Sequence, residues 1–353
     1  MKHIALCMVL GTLPFGAAAD APRVVTDIAP VHSLVARVME GVGTPDLIVP
    51  QNASPHGFQM RMSQASAMER ASLVVWVGHG LTPWLKDPLE TLAADAVHLE
   101  LMETTEHLAL GLREDGHDHG GHDGHEDHSA HSGETHAEHD DDGHDDHGHK
   151  DDDHDGHEHG HEDTQAEGVD DAKDSGHTEH AGGAFDPHGW LDPRIAQVWT
   201  REIADALSAQ DPANAATYDA NAAAALADLD ALEAELAASL APVKARPFMV
   251  LHDGYQYFET RFELNLAGSI LSVAGASPGP AGLAEVQEVL KAQGVGCVLS
   301  EPQLNDGLIA VATEGLEVKT GKIDPLGADL ALGPDFYPAL MRALAGGIRT
   351  CLD

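Results

Sequence analysis

The chain has 353 residues and a formal net charge of −40, from 59 acidic side chains against 19 basic ones. So few Lys and Arg argue against nucleic acid as a partner, because phosphate contacts need cationic side chains. The acidic balance instead suits attraction of cations, and the length predicts two domains.

In chain order, Lys2 and His3 precede the apolar stretch "IALCMVLGTLPFG" and the small residues Ala17, Ala18 and Ala19. This predicts a secretory signal over 1–19, cleaved near Ala19/Asp20, and a soluble exported protein. A membrane anchor needs about 20 apolar residues, and Gly11 and Pro14 break this run. Too little apolar sequence precedes Cys7 for a lipobox, and no later segment is predicted to span a membrane.

An N-terminal lobe is expected over 20–210. It reads as a strand (22–30), a helix ending at glycine (31–41), a strand (44–50), a helix (63–71) and a strand (72–78). The continuous apolar run "SLVVWVG" suits a parallel sheet covered on both faces, and the alternation signals an α/β unit. Over 114–182 the pattern stops. Between Glu114 and Glu179 stand 25 acidic residues against two lysines, and 18 of the 25 histidines fall between His107 and His180. With almost nothing to bury, this insert is predicted to be disordered. A turn and a helix follow over 185–210.

Residues 212–243, rich in Ala, Leu and Glu, predict one long helix, with Asp211 as its cap and Pro212 near its start. About 30 residues make a rod of roughly 45 Å, a linking helix over 211–243. The second lobe, 244–353, restarts the alternation: strand 248–254, helix 281–294, strand 295–303, helix 307–315, strand 316–327 and helix 335–352. The fold class is α/β, two lobes with parallel sheets joined by one long helix. Without Cys7 the cysteines are Cys297 and Cys351, which an oxidising compartment favours as a pair. Their loop of roughly 55 residues would contribute about 4 kcal/mol. The alternative is two buried free thiols.

Beyond the signal and the histidine-dense stretch, only His32, His56, His79, His98, His188 and His252 remain. His56 in "NASPHGF", His188 in "DPHGWLDP" and His252 in "MVLHDGY" are each expected where a strand gives way to a loop. The ligand crevice of an open α/β sheet lies outside the carboxyl ends of its strands, so the three could converge there. Asp324 in "GKIDPLG" is at another strand end. Three imidazoles plus a carboxylate or water suit tetrahedral Zn²⁺, although no local zinc motif such as HExxH or CxxC is present. His79, in "VGHGLTPWL", is a lesser candidate. His32 and His98 read as structural or exposed, and Trp84 and Phe185 as packing of the cleft walls.

The stretches "SPHGFQMRMSQASAMERASLVVWVGHGLTPWL", "DPHGWLDP", "LHDGYQYFETRFEL", "SEPQ" and "DPLG", in this order, resemble the metal-binding receptors of bacterial ABC transporters for zinc and manganese. The resemblance spans nearly the whole chain after the signal except the insert. It implies two α/β lobes, a rigid connecting helix and a metal cleft between the lobes. It also implies that His56, His188 and His252 are metal ligands and that Asp324 is the fourth. Manganese receptors resemble this pattern with a glutamate at the third position, so His252 favours zinc. Some zinc members use water or a glutamate neighbouring the first histidine as fourth ligand. Pro55 removes the neighbouring glutamate here, which leaves Asp324 or water.

The implied function is a periplasmic zinc receptor that passes Zn²⁺ to a membrane permease and its ATPase subunit, acting as a monomer and without catalysis. A periplasmic zinc chaperone is a further possible partner. Histidine-rich inserts also resemble a feature of the family's zinc members. Here His117, His119, His122, His125, His128, His144, His147, His149, His154, His157, His159 and His161 would form weaker accessory sites, since each binding event must order the chain. Two other classes stay open: a periplasmic zinc buffer, and a zinc-dependent hydrolase or lyase, since three histidines plus water is also a catalytic geometry.

Overall fold

A computed structural model describes residues 21–113 and 185–353. The expected signal (1–19) and the insert with its twelve candidate histidines lie outside the described residues.

The first lobe runs β1 (Val24–Thr26), α1 (Ala29–Val38), β2 (Asp46–Leu47), α2 (Met62–Glu69), β3 (Leu73–Trp76), α3 (Lys86–Leu92), β4 (Val97–Glu100) and a one-turn α4 (Leu101–Thr104). Its strands are all parallel, in the order β2-β1-β3-β4. Every residue of β1 and β3 is buried, as expected where helices cover both faces. The edge strand β4, "VHLE", is half exposed and too short and polar to stand out in the sequence.

The next helix, α5 (Pro193–Gln210), begins where the Asp192 carboxylate accepts the Arg194 backbone N–H at 2.8 Å and Pro193 occupies the first turn. The long helix α6 spans Ala215–Leu240, a length of about 39 Å, and is shorter than the sequence predicts. Asp211 does not cap it. Its backbone N–H closes α5 on Leu207, and its carboxylate takes the Asn214 amide and the Tyr218 hydroxyl. Tyr218, Ala222, Ala225, Leu229, Leu232, Leu236 and Leu240 form the buried stripe of α6 at three- and four-residue spacing.

The second lobe contains β5 (Phe248–His252), α7 (Gln256–Phe262), β6 (Leu266–Leu271), α8 (Pro280–Ala292), β7 (Cys297–Ser300), α9 (Gly307–Ala312), β8 (Lys319–Lys322) and α10 (Phe336–Leu352). Its parallel order, β6-β5-β7-β8, repeats that of the first lobe. The sequence reading lacks α7 and β6. Seven residues show little helical period, and "LAGSIL" carries Gly268 at φ +149°. Cys297 of β7 is bonded to Cys351 of α10, with Cα atoms 5.9 Å apart.

One hydrophobic core is continuous through both lobes. It includes Val74 and Trp199 on the first side, Leu229 and Leu236 of α6, and Phe248, Leu299 and Leu344 on the second. A smaller cluster, Met249, Leu251, Leu290 and Val298, covers the other face of the second sheet. Buried hydrogen bonds stitch the lobes together. Ser33 Oγ donates to the Gly333 carbonyl at 2.8 Å, and the Trp190 indole donates to the Pro325 carbonyl at 3.0 Å. The Tyr337 hydroxyl donates to the Trp190 carbonyl at 2.7 Å. The long helix is therefore one part of a shared interior. Among the described residues no helix is long and apolar enough to cross a membrane.

Candidate metal centre

His56 lies in the loop after β2. That loop is braced by Trp84, whose indole N–H donates to the Pro55 carbonyl at 2.7 Å and whose ring packs on Phe58. His188 precedes a tight turn, Gly189–Leu191, that leads into α5, and His252 is the last residue of β5. The three rings form a nearly equilateral triangle, with centroids 5.4 Å apart for His56–His188, 5.4 Å for His56–His252 and 5.0 Å for His188–His252. One nitrogen from each lies within 4.8 Å of the others.

Hydrogen bonds select the nitrogen that faces inward. His188 Nδ1–H donates to Asp186 Oδ1 at 2.7 Å, and the same oxygen accepts the His188 backbone N–H at 2.9 Å. That leaves Nε2 with its lone pair. His252 Nε2–H donates to the Val273 carbonyl at 2.9 Å and leaves Nδ1. His252 Nδ1 and His56 Nε2 are buried without a hydrogen-bond partner. Fixing one ring nitrogen with a carboxylate or carbonyl is how proteins set the tautomer and angle of a metal-binding imidazole. Gly254 leaves the space between rings open, since a Cβ there would lie 2.9 Å from His252 Nδ1 and 3.1 Å from His188 Nε2.

The electrostatics favour lone pairs over protons at His56. Burial, and then the neighbouring His188 and His252, push its pKa down to about 3. Burial opposes charge on His252 too, but Glu301 beside it, with the Val273 carbonyl and Asp253, raises its pKa above the ordinary value. The rings line a cavity of about 30 Å³ together with Trp190, Glu301 and Gln303. That is room for an ion or a water.

The structure brings together His56, His188 and His252 but leaves Asp324 out of the group. The Asp324 carboxylate instead holds its own loop. Oδ1 accepts from Gln303 Nε2 and the backbone N–H groups of Leu326 and Gly327, and Oδ2 accepts the Ala328 N–H. His79 also stays outside. It is exposed, 3.7 Å from Glu100 and edge-on to Trp76. His32 and His98 bond to the carbonyls of Pro45 and Ala93, as structural residues do. Trp84 braces the His56 loop, whereas Phe185, expected to pack a cleft wall, is exposed at 42 %.

Sequence reasoning missed three residues. Asp186 was legible only as the acid two positions before His188, and Gly254 as the glycine two positions after His252. Glu301, in "SEPQ" directly after β7, is 5 % exposed, and its Oε1 has no hydrogen-bond partner. A buried acid at a strand end was the available signal.

Residues 24–351 match the family model described as the periplasmic component A of a zinc-uptake complex, ZnuA. The high-affinity zinc uptake system protein ZnuA of Brucella suis is 38 % identical over 340 residues, covering 95 % of this chain and 93 % of that protein. Its Paracoccus denitrificans counterpart is 35 % identical over 352 residues, covering 99 % and 98 %. Among solved structures, a ZnuA crystal structure superposes with a TM-score of 0.68 at 21 % identity, covering 95 % of this chain and 100 % of the other. The periplasmic zinc-binding protein TroA of Treponema pallidum gives 0.69 at 15 % identity, covering 94 % and 99 %. The two-lobed α/β fold is thus shared with these solved structures, and the chain belongs to the ZnuA family of periplasmic zinc-uptake receptors.

Proposed function

We propose that the protein captures one Zn²⁺ with His56 Nε2, His188 Nε2 and His252 Nδ1 and delivers it to the membrane permease of an ABC transporter and its ATPase. The observation that carries this reading is the convergence of three imidazole nitrogens within 4.8 Å. The other nitrogen of two of these rings is already committed. Zn²⁺ is four-coordinate and prefers such nitrogen donors, at about 2.0–2.1 Å. Tetrahedral ligands at that distance stand about 3.3 Å apart, so the rings draw inward on the ion. Zn²⁺ is cargo here, not a reagent. A cavity of about 30 Å³ leaves no room beside the ion for an organic substrate, whose sites run to about 300 Å³ or more. This weighs against the hydrolase or lyase reading.

On this reading the protein is exported with cleavage near Ala19/Asp20 and works as a monomer. The histidines between His117 and His161 act as weaker collectors, and a periplasmic zinc chaperone is a compatible donor. The fourth ligand expected at Asp324 requires its carboxylate to give up four hydrogen bonds. Zinc titration against a chromophoric chelator, with and without residues 116–180, tests the division of roles. The tightest site should survive the deletion and disappear with His188→Ala. If it left with residues 116–180 instead, the three-histidine site would lose its role. A pure buffer would differ in leaving growth under zinc starvation unaffected when the protein is lost.

A further inference from the structure

We propose that Glu301 Oε1 is the fourth ligand of the bound ion, in the place that the sequence pattern gives to Asp324. The proposal rests on the three-histidine reading and adds one residue to it.

The first argument is a hydrogen-bond account of the cavity. Buried polar atoms are nearly always partnered, and leaving a charged one bare is costly. Four buried atoms on residues lining this cavity have no partner: His56 Nε2, His252 Nδ1, Glu301 Oε1 and the neutral amide oxygen Gln303 Oε1. With His252 Nε2–H given to Val273, Nδ1 carries a lone pair. It lies 3.4 Å from Glu301 Oε1. Two acceptors held at that distance repel one another unless a proton or a metal cation lies between them, and the same geometry serves either.

The second argument is distance. Ligands of tetrahedral Zn²⁺ stand about 3.3 Å apart, and Glu301 Oε1 and His252 Nδ1 are already at 3.4 Å. The backbone enforces this pair. Parallel β5 and β7 align Phe248 with Cys297 and Val250 with Leu299. Two residues further along each strand stand His252 and Glu301, on the same face of the sheet by the two-residue period. Glu301, the first residue past the end of β7, follows directly on that register.

The third argument is the contrast with Asp324. Its two oxygens already accept four hydrogen bonds, three of them from the backbone of the 326–328 turn. Turning to the metal would strip that turn of its anchors, whereas Glu301 Oε1 has no bond to break. Glu301 lines the cavity with the histidines, and Asp324 does not. The hydroxyl of buried Tyr255, also without a hydrogen-bond partner, lies beside Glu301 and can hold its carboxylate in place.

The test compares Glu301→Gln, Glu301→Asp and Asp324→Asn in the full chain. It reads zinc affinity by chelator competition and, separately, the visible ligand-field spectrum of the Co²⁺-substituted protein at pH 8. Glu301→Gln keeps shape and removes charge. It should weaken zinc at least 10-fold and shift the Co²⁺ bands. Glu301→Asp should fall between it and the wild type, and Asp324→Asn should leave the bands in place. Melting of the metal-free variants checks folding, and if Glu301→Gln does not fold, Glu301→Asp carries the comparison. Unchanged affinity and spectrum in Glu301→Gln would overturn the assignment and leave Glu301 as the charge partner of His252. Loss confined to Asp324→Asn would overturn it in favour of Asp324. Tight zinc retained by His188→Ala would instead defeat the three-histidine reading itself.

Discussion

At or just past the carboxyl ends of their strands, the two lobes carry similar side chains in corresponding places. Asp27, His79 and Glu100 belong to β1, β3 and β4, and His252, Glu301 and Asp324 to β5, β7 and β8. In the first lobe the two acids are used up locally, and the cavity atom left over is His56 Nε2, in the loop after β2. Asp27 accepts the backbone N–H groups of Ile28 and Val77 at 2.8 Å each, and Glu100 accepts the N–H of His79 at 2.9 Å. In the second lobe Asp324 is used up in the same way, but His252 Nδ1 and Glu301 Oε1 are left over. Fold topology offers a crevice at both sheets. A site forms where the neighbouring backbone does not satisfy the polar atoms.

The largest effect that tests this contrast is loss of a ring. His188→Ala or His252→Ala should weaken zinc by about three orders of magnitude, roughly 4 kcal/mol, in chelator competition. His79→Ala should change it less than twofold. The reverse ranking would break the comparison outright.

A second test lies wholly in the first lobe. Burial above all raises the Asp27 pKa from 3.8 to about 7, against the hydrogen bonds from Val77 and Ile28 that lower it. The folded protein therefore holds this proton more tightly than the unfolded chain. The contribution of Asp27 to stability is full below about pH 3.8 and is lost as pH rises through 7. Three pKa units correspond to about 4 kcal/mol. Denaturant unfolding of the metal-free protein should show the wild type losing more stability than Asp27→Asn between pH 4 and 7.5. Parallel curves would mean that Asp27 titrates like an exposed acid.

Smaller again is the effect of a residue that positions a ligand. Asp186→Ala frees His188 Nδ1 and should cost about 10–100-fold in zinc affinity, with the metal-free melting temperature read alongside. An undiminished affinity would show that the turn alone orients His188. The smallest effect belongs to the exposed pair Arg342–Glu235. Glu235→Ala should leave stability nearly unchanged in the same denaturant assay, far below any change at the buried acids.

The central strands are the elements whose burial is complete, and they are plainly legible in the sequence. The runs "LVVW" and "FMVLH" announce β3 and β5 because both faces are covered, and the stripe of α6 shows at helical spacing. Edge strands β4 and β6 lack that signal because one side meets solvent or carries glycine. His56, His188 and His252 could be grouped as candidates because few histidines lie outside the histidine-dense stretch and their contexts resemble those of the receptor family. Asp324 and Glu301 could not be ranked from sequence. Both are acids near strand ends, and only the hydrogen bonds of the 324–328 turn separate a spent carboxylate from a free one.

The continuous core has a thermodynamic consequence. Two sheets with separate interiors would melt in separate steps. Here Val74, Leu229, Leu299 and Leu344 share one interior, and Trp190 bonds across it to Pro325 and Tyr337. The described body should therefore unfold as a single cooperative unit. An ion that binds only the folded form stabilises that one transition by an amount that grows with the logarithm of free ion concentration over its dissociation constant. On the proposed three-histidine reading, a calorimeter should therefore read cargo loading as one peak moving upward.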